Sequence, residues 1–232
     1  MKLSAVAVIL LASCLAASGS TITYETAPGS TTSGGPVDAT ATFVTGDGTL
    51  LITLTDLQAN PTDVAQLISD LDFTTSNGAT SGTIASSSGQ EITVANDGTF
   101  TTGSTVDTGW ALNSTATGLQ LDVLGTTTAP SHLIIGPPDG FNLYSNANGS
   151  IAGNGPHNPF LNGSATFLLD IAGVTADTTV TSATFSFGTT EGADLVPGTP
   201  PSAVPEPRTS LTLAVLLGFM GLAQLRRSRV RS

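Results

Sequence analysis

The sequence predicts an all-β fold, an antiparallel β-sandwich or jelly roll, followed by a Pro-rich stalk and one C-terminal transmembrane helix. Three observations carry this. Across residues 20–196, short apolar and polar alternations are broken every ten residues or so by Gly, Asn, Asp or Ser, the rhythm of antiparallel sheets. The 26 Gly, 13 Pro and 62 Ser plus Thr residues favour strands and turns over long helices. Leu, Ile, Val and Phe make up about a quarter of the 232 residues, enough to bury a core.

The chain opens with Lys2, an apolar run from Leu3 to Leu11 and the small residues Ala12 to Gly19, the form of a secretory signal peptide over residues 1–19. The run is too short to span a bilayer. Small residues place cleavage after Ser18 or Gly19, which removes Cys14, the only cysteine. A rival reading takes Leu11-Ala12-Ser13-Cys14, which resembles the lipobox of bacterial lipoproteins, with Cys14 lipidated.

The best strand candidates are Thr42 to Val44, Leu50 to Leu57, Ile92 to Val94, Leu119 to Leu124, Leu133 to Ile135, Ala165 to Ile171 and Thr178 to Phe187. In the last, Ala183, Phe185 and Phe187 share one face and Ser182, Thr184 and Ser186 the other, so one face is meant for burial. Gly46-Asp47-Gly48 and Asn96-Asp97-Gly98 lie between extended runs, and Asp-Gly supplies the positive φ that hairpins need. The similar pieces Val44 to Leu50 and Val94 to Phe100 raise the alternatives of a duplication and a chance recurrence. A short helix is expected over Pro61 to Leu71: Asn60 or Thr62 can cap it, and Val64, Leu67, Ile68 and Leu71 follow a 3.6-residue period. Residues 136–160, rich in Pro, Asn and Gly, read as one long, ordered surface loop. Prolines from Pro197 onward mark a stalk over 197–204 and hence a domain boundary.

The tail over 205–232 begins with Pro205-Glu206-Pro207, continues through the apolar stretch 209–225 and ends on Arg226, Arg227, Arg229 and Arg231. Seventeen residues at about 1.5 Å each reach roughly 25 Å, the lower end of what spans a hydrocarbon core. The arginines hold that end in the cytoplasm, because cationic residues resist translocation, so the body lies outside the cytoplasmic membrane. A Pro-Glu-Pro tripeptide, a short apolar helix and an arginine cluster in this order resemble the PEP-CTERM sorting signal of Gram-negative bacteria. In that family a membrane-embedded exosortase recognises the tripeptide, cuts nearby and passes the protein to the cell surface or exopolysaccharide matrix. The resemblance covers Val204 to Arg231 and makes Pro205, Glu206 and Pro207 the recognition residues. Arg208 stands where a small residue is commoner, and Ser228 and Val230 interrupt the arginine run. The apolar run and arginines alone serve a plain single-pass anchor equally well.

The six basic residues all lie at the chain ends, so residues 20–204 carry sixteen carboxylates and no Lys or Arg. Such a body cannot grip phosphate backbones, which argues against nucleic acid as a partner. His132 and His157 are the two histidines, with Ser131, Ser150, Asp139 and Asp170 as triad partners, but no Gly-x-Ser-x-Gly elbow surrounds any serine. Most acids fall singly in turns; Asp70-Asp72 and Glu191-Asp194 are the close pairs. Acidic turns and Asn side chains suit Ca²⁺, with Asp97, Asp139 and Asn142 as candidate ligands, although no EF-hand loop is present. Two histidines 25 positions apart, with no usable cysteine, make a poor zinc site. Of the aromatic rings, Trp110 reads as a core plug, and Tyr144, among Asn142, Asn146 and Asn148, reads either as a ring that pins the loop down or as the candidate glycan contact.

The expectation is therefore a non-enzymatic protein of the cell surface or exopolysaccharide matrix. It is exported by a signal peptide, anchored transiently in the cytoplasmic membrane and released by an exosortase, with exopolysaccharide or other surface proteins as partners. The alternatives are a glycan-binding module and a hydrolase acting on polysaccharide.

Overall fold

The computed structural model describes residues 19–126, 129–147 and 149–200. The signal peptide, the sorting tripeptide, the apolar stretch 209–225 and the arginines Arg226, Arg227, Arg229 and Arg231 lie outside them. The described body is all-β, with strands β1 (Thr21–Thr26), β2 (Thr31–Thr32), β3 (Gly35–Pro36), β4 (Ala39–Gly46), β5 (Thr49–Asp56), β6 (Ile68–Thr75), β7 (Thr83–Val94), β8 (Phe100–Val106), β9 (Ala111–Ser114), β10 (Leu119–Asp122), β11 (Ile134–Ile135), β12 (Phe160–Asp170), β13 (Val180–Phe187) and β14 (Leu195–Thr199). Every expected strand falls on one of these.

The expected separation into two sandwiched sheets is replaced by one twelve-stranded sheet, with β2 and β3 forming a small ribbon apart. The order β12-β5-β4-β1-β14-β13-β6 is bridged by β11, which pairs in parallel with β12 and antiparallel with β6, so eight strands close into a barrel-like ring. Strands β7 and β8 continue beyond β12, and β10 and β9 beyond β6. A closed ring satisfies the edge groups that an open sheet would leave bare.

The core follows from alternation. In β4, Ala39, Ala41 and Phe43 point inward, and in β5 so do Leu50, Ile52 and Leu54, all fully buried. The Phe43 ring packs tilted against Phe73, centroids 5.6 Å apart, and edge-on against Tyr24 at 6.1 Å. Trp110 packs 5.2 Å from Phe167 and donates from Nε1 to the His132 carbonyl at 2.9 Å, the core plug expected of it.

Both Asp-Gly hairpins form. Gly46 pairs with Thr49 around Asp47 and Gly48 (φ 74°), and Ala95 N–H donates to the Thr99 carbonyl around a longer turn with Gly98 at φ 83°. The two similar pieces thus build turns of different length, which favours chance recurrence over duplication.

Two expectations are corrected. The helix over Pro61 to Leu71 reduces to one 3₁₀ turn, Val64–Gln66, with Asp63 as its cap: Asp63 Oδ1 accepts the Ala65 N–H at 2.9 Å, and Gln66 Oε1 accepts the Asp63 N–H at 3.0 Å. Leu67 then turns extended and β6 begins. The period-3.6 signal arises because the register with β13 shifts between Ser186–Asp70 and Phe187–Ile68, inserting an extra residue at Ser69. Ile68 and Leu71 are both fully buried three residues apart, mimicking a helical repeat. The expected stalk over 197–204 is corrected at its start, because β14 runs to Thr199 and pairs Glu25 with Thr199 and Thr26 with Gly198, while residues 201–204 lie outside the described residues. Pro197 is tolerated because β1 pairs β14 only at Gly198 and Thr199, leaving Pro197 partnered on the β13 side alone.

Among the described residues the sixteen acids find no Lys or Arg, and the single ion-pair contact is His132 Nε2 to Glu91 Oε1 at 3.7 Å. Self-repulsion opposes the compact state and salt screens it. The melting temperature of a fragment spanning residues 19–200 is expected to rise with NaCl and level off as screening saturates. A transition indifferent to ionic strength would show that the charges lie too far apart to matter.

Candidate functional site

Residues 136–147 and 149–159 form the expected long loop without strands, but it is sewn to the body. Asn60 (φ 50°) accepts the Ser145 N–H on Oδ1 at 2.8 Å and donates from Nδ2 to Ser145 Oγ at 2.6 Å. Ser150 Oγ accepts the Val64 N–H at 2.9 Å. Tyr144 is only 1 % exposed, its hydroxyl donating to the Gly136 carbonyl at 2.9 Å and its ring meeting Phe100 edge-on at 5.7 Å. Of the two readings of Tyr144, the glycan contact is corrected, because a ring buried on this scale has no face to offer a sugar, and the ring pins the loop instead. Burial and the nearby Asp56 push its hydroxyl pKa up. The ring that the loop displays is Phe141, 88 % exposed.

The candidate calcium ligands Asp97, Asp139 and Asn142 sit on two touching segments, since Tyr144 N–H donates to the Gly98 carbonyl at 3.0 Å. Each acid uses one carboxyl oxygen on its own turn. Asp97 Oδ1 accepts from Thr99 N–H and Oγ1–H, which lowers its pKa, and Asp139 Oδ1 accepts the N–H groups of Phe141 and Leu143 at 2.9 and 3.0 Å. Among the described residues, no three His, Cys, Asp or Glu side chains form a group able to hold a metal.

Both histidines serve the backbone. His132 Nδ1–H donates to the Pro159 carbonyl at 2.7 Å and His157 Nδ1–H to the Ser131 carbonyl at 2.9 Å. Asp170 is exposed on β12, and Ser150 is held by Val64. The structure does not assemble a nucleophilic triad from the histidines, serines and aspartates singled out in the sequence.

What the sequence understated is the outer face of β10, β6 and β13. Cross-strand register places Asp122, Asp70 and Ser186 in one row and Gln120, Asp72 and Thr184 in the next. These share one face because strand side chains alternate, while Leu71, Phe73, Leu121 and Phe185 point into the core. Asp122 spends both oxygens on the N–H groups of Leu124 and Gly125 at 2.7 and 2.8 Å. Asp70 is 1 % exposed; its Oδ2 accepts from Gln120 Nε2 at 2.7 Å, whereas Oδ1 has no hydrogen-bond partner. Burial first, then the charges of Asp72 and Asp122, raise its pKa to about 8. Asp72 is raised by the same causes, partial burial and Asp122. Toward solvent this face opens into a cleft of about 500 Å³ lined by Asp72, Thr74, Thr115, Gln120, Ser182 and Thr184 among others. The Asp70-Asp72 pair was the signal, but only the fold adds Gln120 and Asp122 from fifty residues away.

Comparison with known proteins finds no match for this chain among family models, curated proteins or solved structures.

Proposed function

We propose that the chain is a cell-surface or exopolysaccharide-matrix protein with a structural or interaction role. On this reading it is exported by its signal peptide and sorted by an exosortase through Pro205, Glu206 and Pro207. The observation that carries the reading is where the described strands begin and end along the chain. Every described strand lies within residues 21–199, and the strand nearest the signal peptide pairs with the strand nearest the sorting tail, Glu25 opposite Thr199. Cleavage before Ser20 or after Pro200 therefore removes no ladder hydrogen bond found among the described residues, which is compatible with a body that stays folded when trimmed at both ends. The resemblance of the tail to the PEP-CTERM signal and the body's lack of Lys and Arg agree with a passenger built for the outside of the cell.

Fractionation of isogenic strains with and without the exosortase tests this. Mature protein lacking Arg226 to Ser232 at the surface of the parent strain, and membrane-bound protein retaining them in the deletion strain, is the expected result. Retention of these residues in both strains would make the tail a plain anchor and overturn the sorting reading.

A further inference from the structure

We propose that the cleft on the outer face of β6, β10 and β13 binds a primary ammonium group carried on a small hydroxylated frame, an amino sugar being the class that fits. The inference rests on side chains of the body and is independent of the sorting route.

The row at the cleft floor offers an ammonium its acceptors. Asp72 lies between Gln120 on β10 and Thr184 on β13, directly opposite each in register, where neighbouring side chains stand about 5 Å apart. The Gln120 amide is oriented by the body, because its Nε2 is tied to Asp70 Oδ2 at 2.7 Å, which leaves Oε1 as an acceptor. A carboxylate, an amide oxygen and a hydroxyl thus converge from three strands of a rigid sheet. An ammonium has three donors and no acceptor, matching this set one for one.

Behind the row, the buried Asp70 carries a carboxyl oxygen with no hydrogen-bond partner. An orphaned buried oxygen costs stability, and a nearby cation lowers that cost. The groups facing Asp70 are Asp72 on its own strand, Gln120 and Asp122 on β10, Ser186 on β13 and Glu191 on the turn that follows. None is cationic, and residues 20–204 contain no Lys or Arg, so the body brings no cation of its own to this face.

The charge alone would admit a metal ion, but the donor set argues otherwise. Ca²⁺ takes six to eight oxygens, and no three acidic or His side chains form a metal-holding group among the described residues. Asp122 in particular has both oxygens committed to Leu124 and Gly125. The remaining lining, Thr74, Thr115, Thr117 and Ser182, offers hydroxyls, and about 500 Å³ holds a ligand of sugar size. Thr74 Oγ1 shares hydrogen bonds with Thr181 Oγ1 at 2.7 Å and Ser182 Oγ at 2.6 Å, so this wall is already ordered.

The test is calorimetric titration of the full chain in detergent with glucosamine, and with glucose and N-acetylglucosamine as uncharged counterparts, all at one ionic strength. Saturable glucosamine binding is expected, about tenfold or more tighter than either uncharged sugar. Asp72→Asn should erase that preference without changing the circular dichroism spectrum. Thr184→Val, which leaves every carboxylate in place, should weaken glucosamine binding several-fold and stands in if Asp72→Asn fails to fold. Equal binding of the three sugars, no saturable glucosamine binding, or binding untouched by the substitutions would overturn the proposal. Success or failure here leaves the fractionation result unaffected.

Discussion

Replacing Asp70 by Asn is expected to remove much of the pH dependence of stability and to make the protein more stable than its parent at alkaline pH. The sign follows from the raised pKa. Below the ordinary Asp value of 3.8 the carboxyl is neutral in both folded and unfolded chains, and the fold bears no cost. Between 3.8 and about 8 the unfolded chain ionises it while the fold keeps it protonated, so unfolding releases a proton and stability falls as pH rises. Above about 8 the loss is complete. One proton corresponds to about 1.4 kcal/mol per pH unit, so over this window the loss is on the order of 5 kcal/mol. Asp56, 1 % exposed with Oδ2 lacking a partner, is pushed upward by burial as well and adds in the same direction. Asp70→Asn mimics the neutral acid and cannot ionise. Urea unfolding at pH 5, 7 and 9 measures the effect, and the substitution should reduce the slope of stability against pH by about one proton. An identical slope in parent and variant would show that Asp70 ionises freely in the fold.

The second large effect is expected at Gly136. A Cβ built there would lie 2.1 Å from the Gln58 carbonyl oxygen, 2.9 Å from its carbon and 3.0 Å from Asp56 Oδ1. The first two are backbone atoms of the segment that follows β5 and cannot swing aside. Gly136 also sits at a junction of the loop and the body: its backbone lies against the Asp56 carboxyl, and its carbonyl receives the Tyr144 hydroxyl of the same loop at 2.9 Å. Gly136→Ala therefore adds overpacking to the loss of hydrogen bonds made by buried groups, together about 3–5 kcal/mol. Gly140 in the same loop is the control, because a Cβ there meets nothing within 4 Å. Gly140→Ala should be neutral or stabilise by a few tenths of a kcal/mol, through the unfolded chain. Denaturation followed by fluorescence of Trp110, the sole tryptophan and a buried one, reports both. A Gly136→Ala variant within about 0.5 kcal/mol of the parent would mean the loop slides away at little cost.

Much of the fold was legible because strand alternation is a local signal. Ala183, Phe185 and Phe187 in β13 are buried as their spacing demands, and both Asp-Gly hairpins formed where the turn chemistry placed them. What failed was long-range or irregular. The extra residue at Ser69 shifted the period of β6 and imitated a helix. Nothing local marks two residues, Ile134 and Ile135, as the bridge that closes a ring, so the sequence suggested separate sheets. The candidate site was half visible. Asp70 and Asp72 stand out as a pair, but their partners Gln120 and Asp122 become neighbours only through β10 pairing with β6. Within the long loop, composition could not tell which ring turns inward; Asp139 decides it by folding the backbone so that Phe141 points out while Tyr144 is drawn under.

The pairing of β1 with β14 also sets an order of events during folding. Thr199 Oγ1–H reaches the Glu25 carbonyl across 174 positions of sequence, so the ring cannot close until the last described strand, β14, has been synthesised and released. Until then β1 is paired only along β4, and the side that later receives β14 stays open. Contacts of such sequence separation make folding slow, on the order of milliseconds to seconds for β domains. Hairpins such as β4–β5 can form early, whereas completion waits for residues 195–199. A chain released short of Leu195 would keep most of its core residues but lack the strand that joins the first part of the ring to the last.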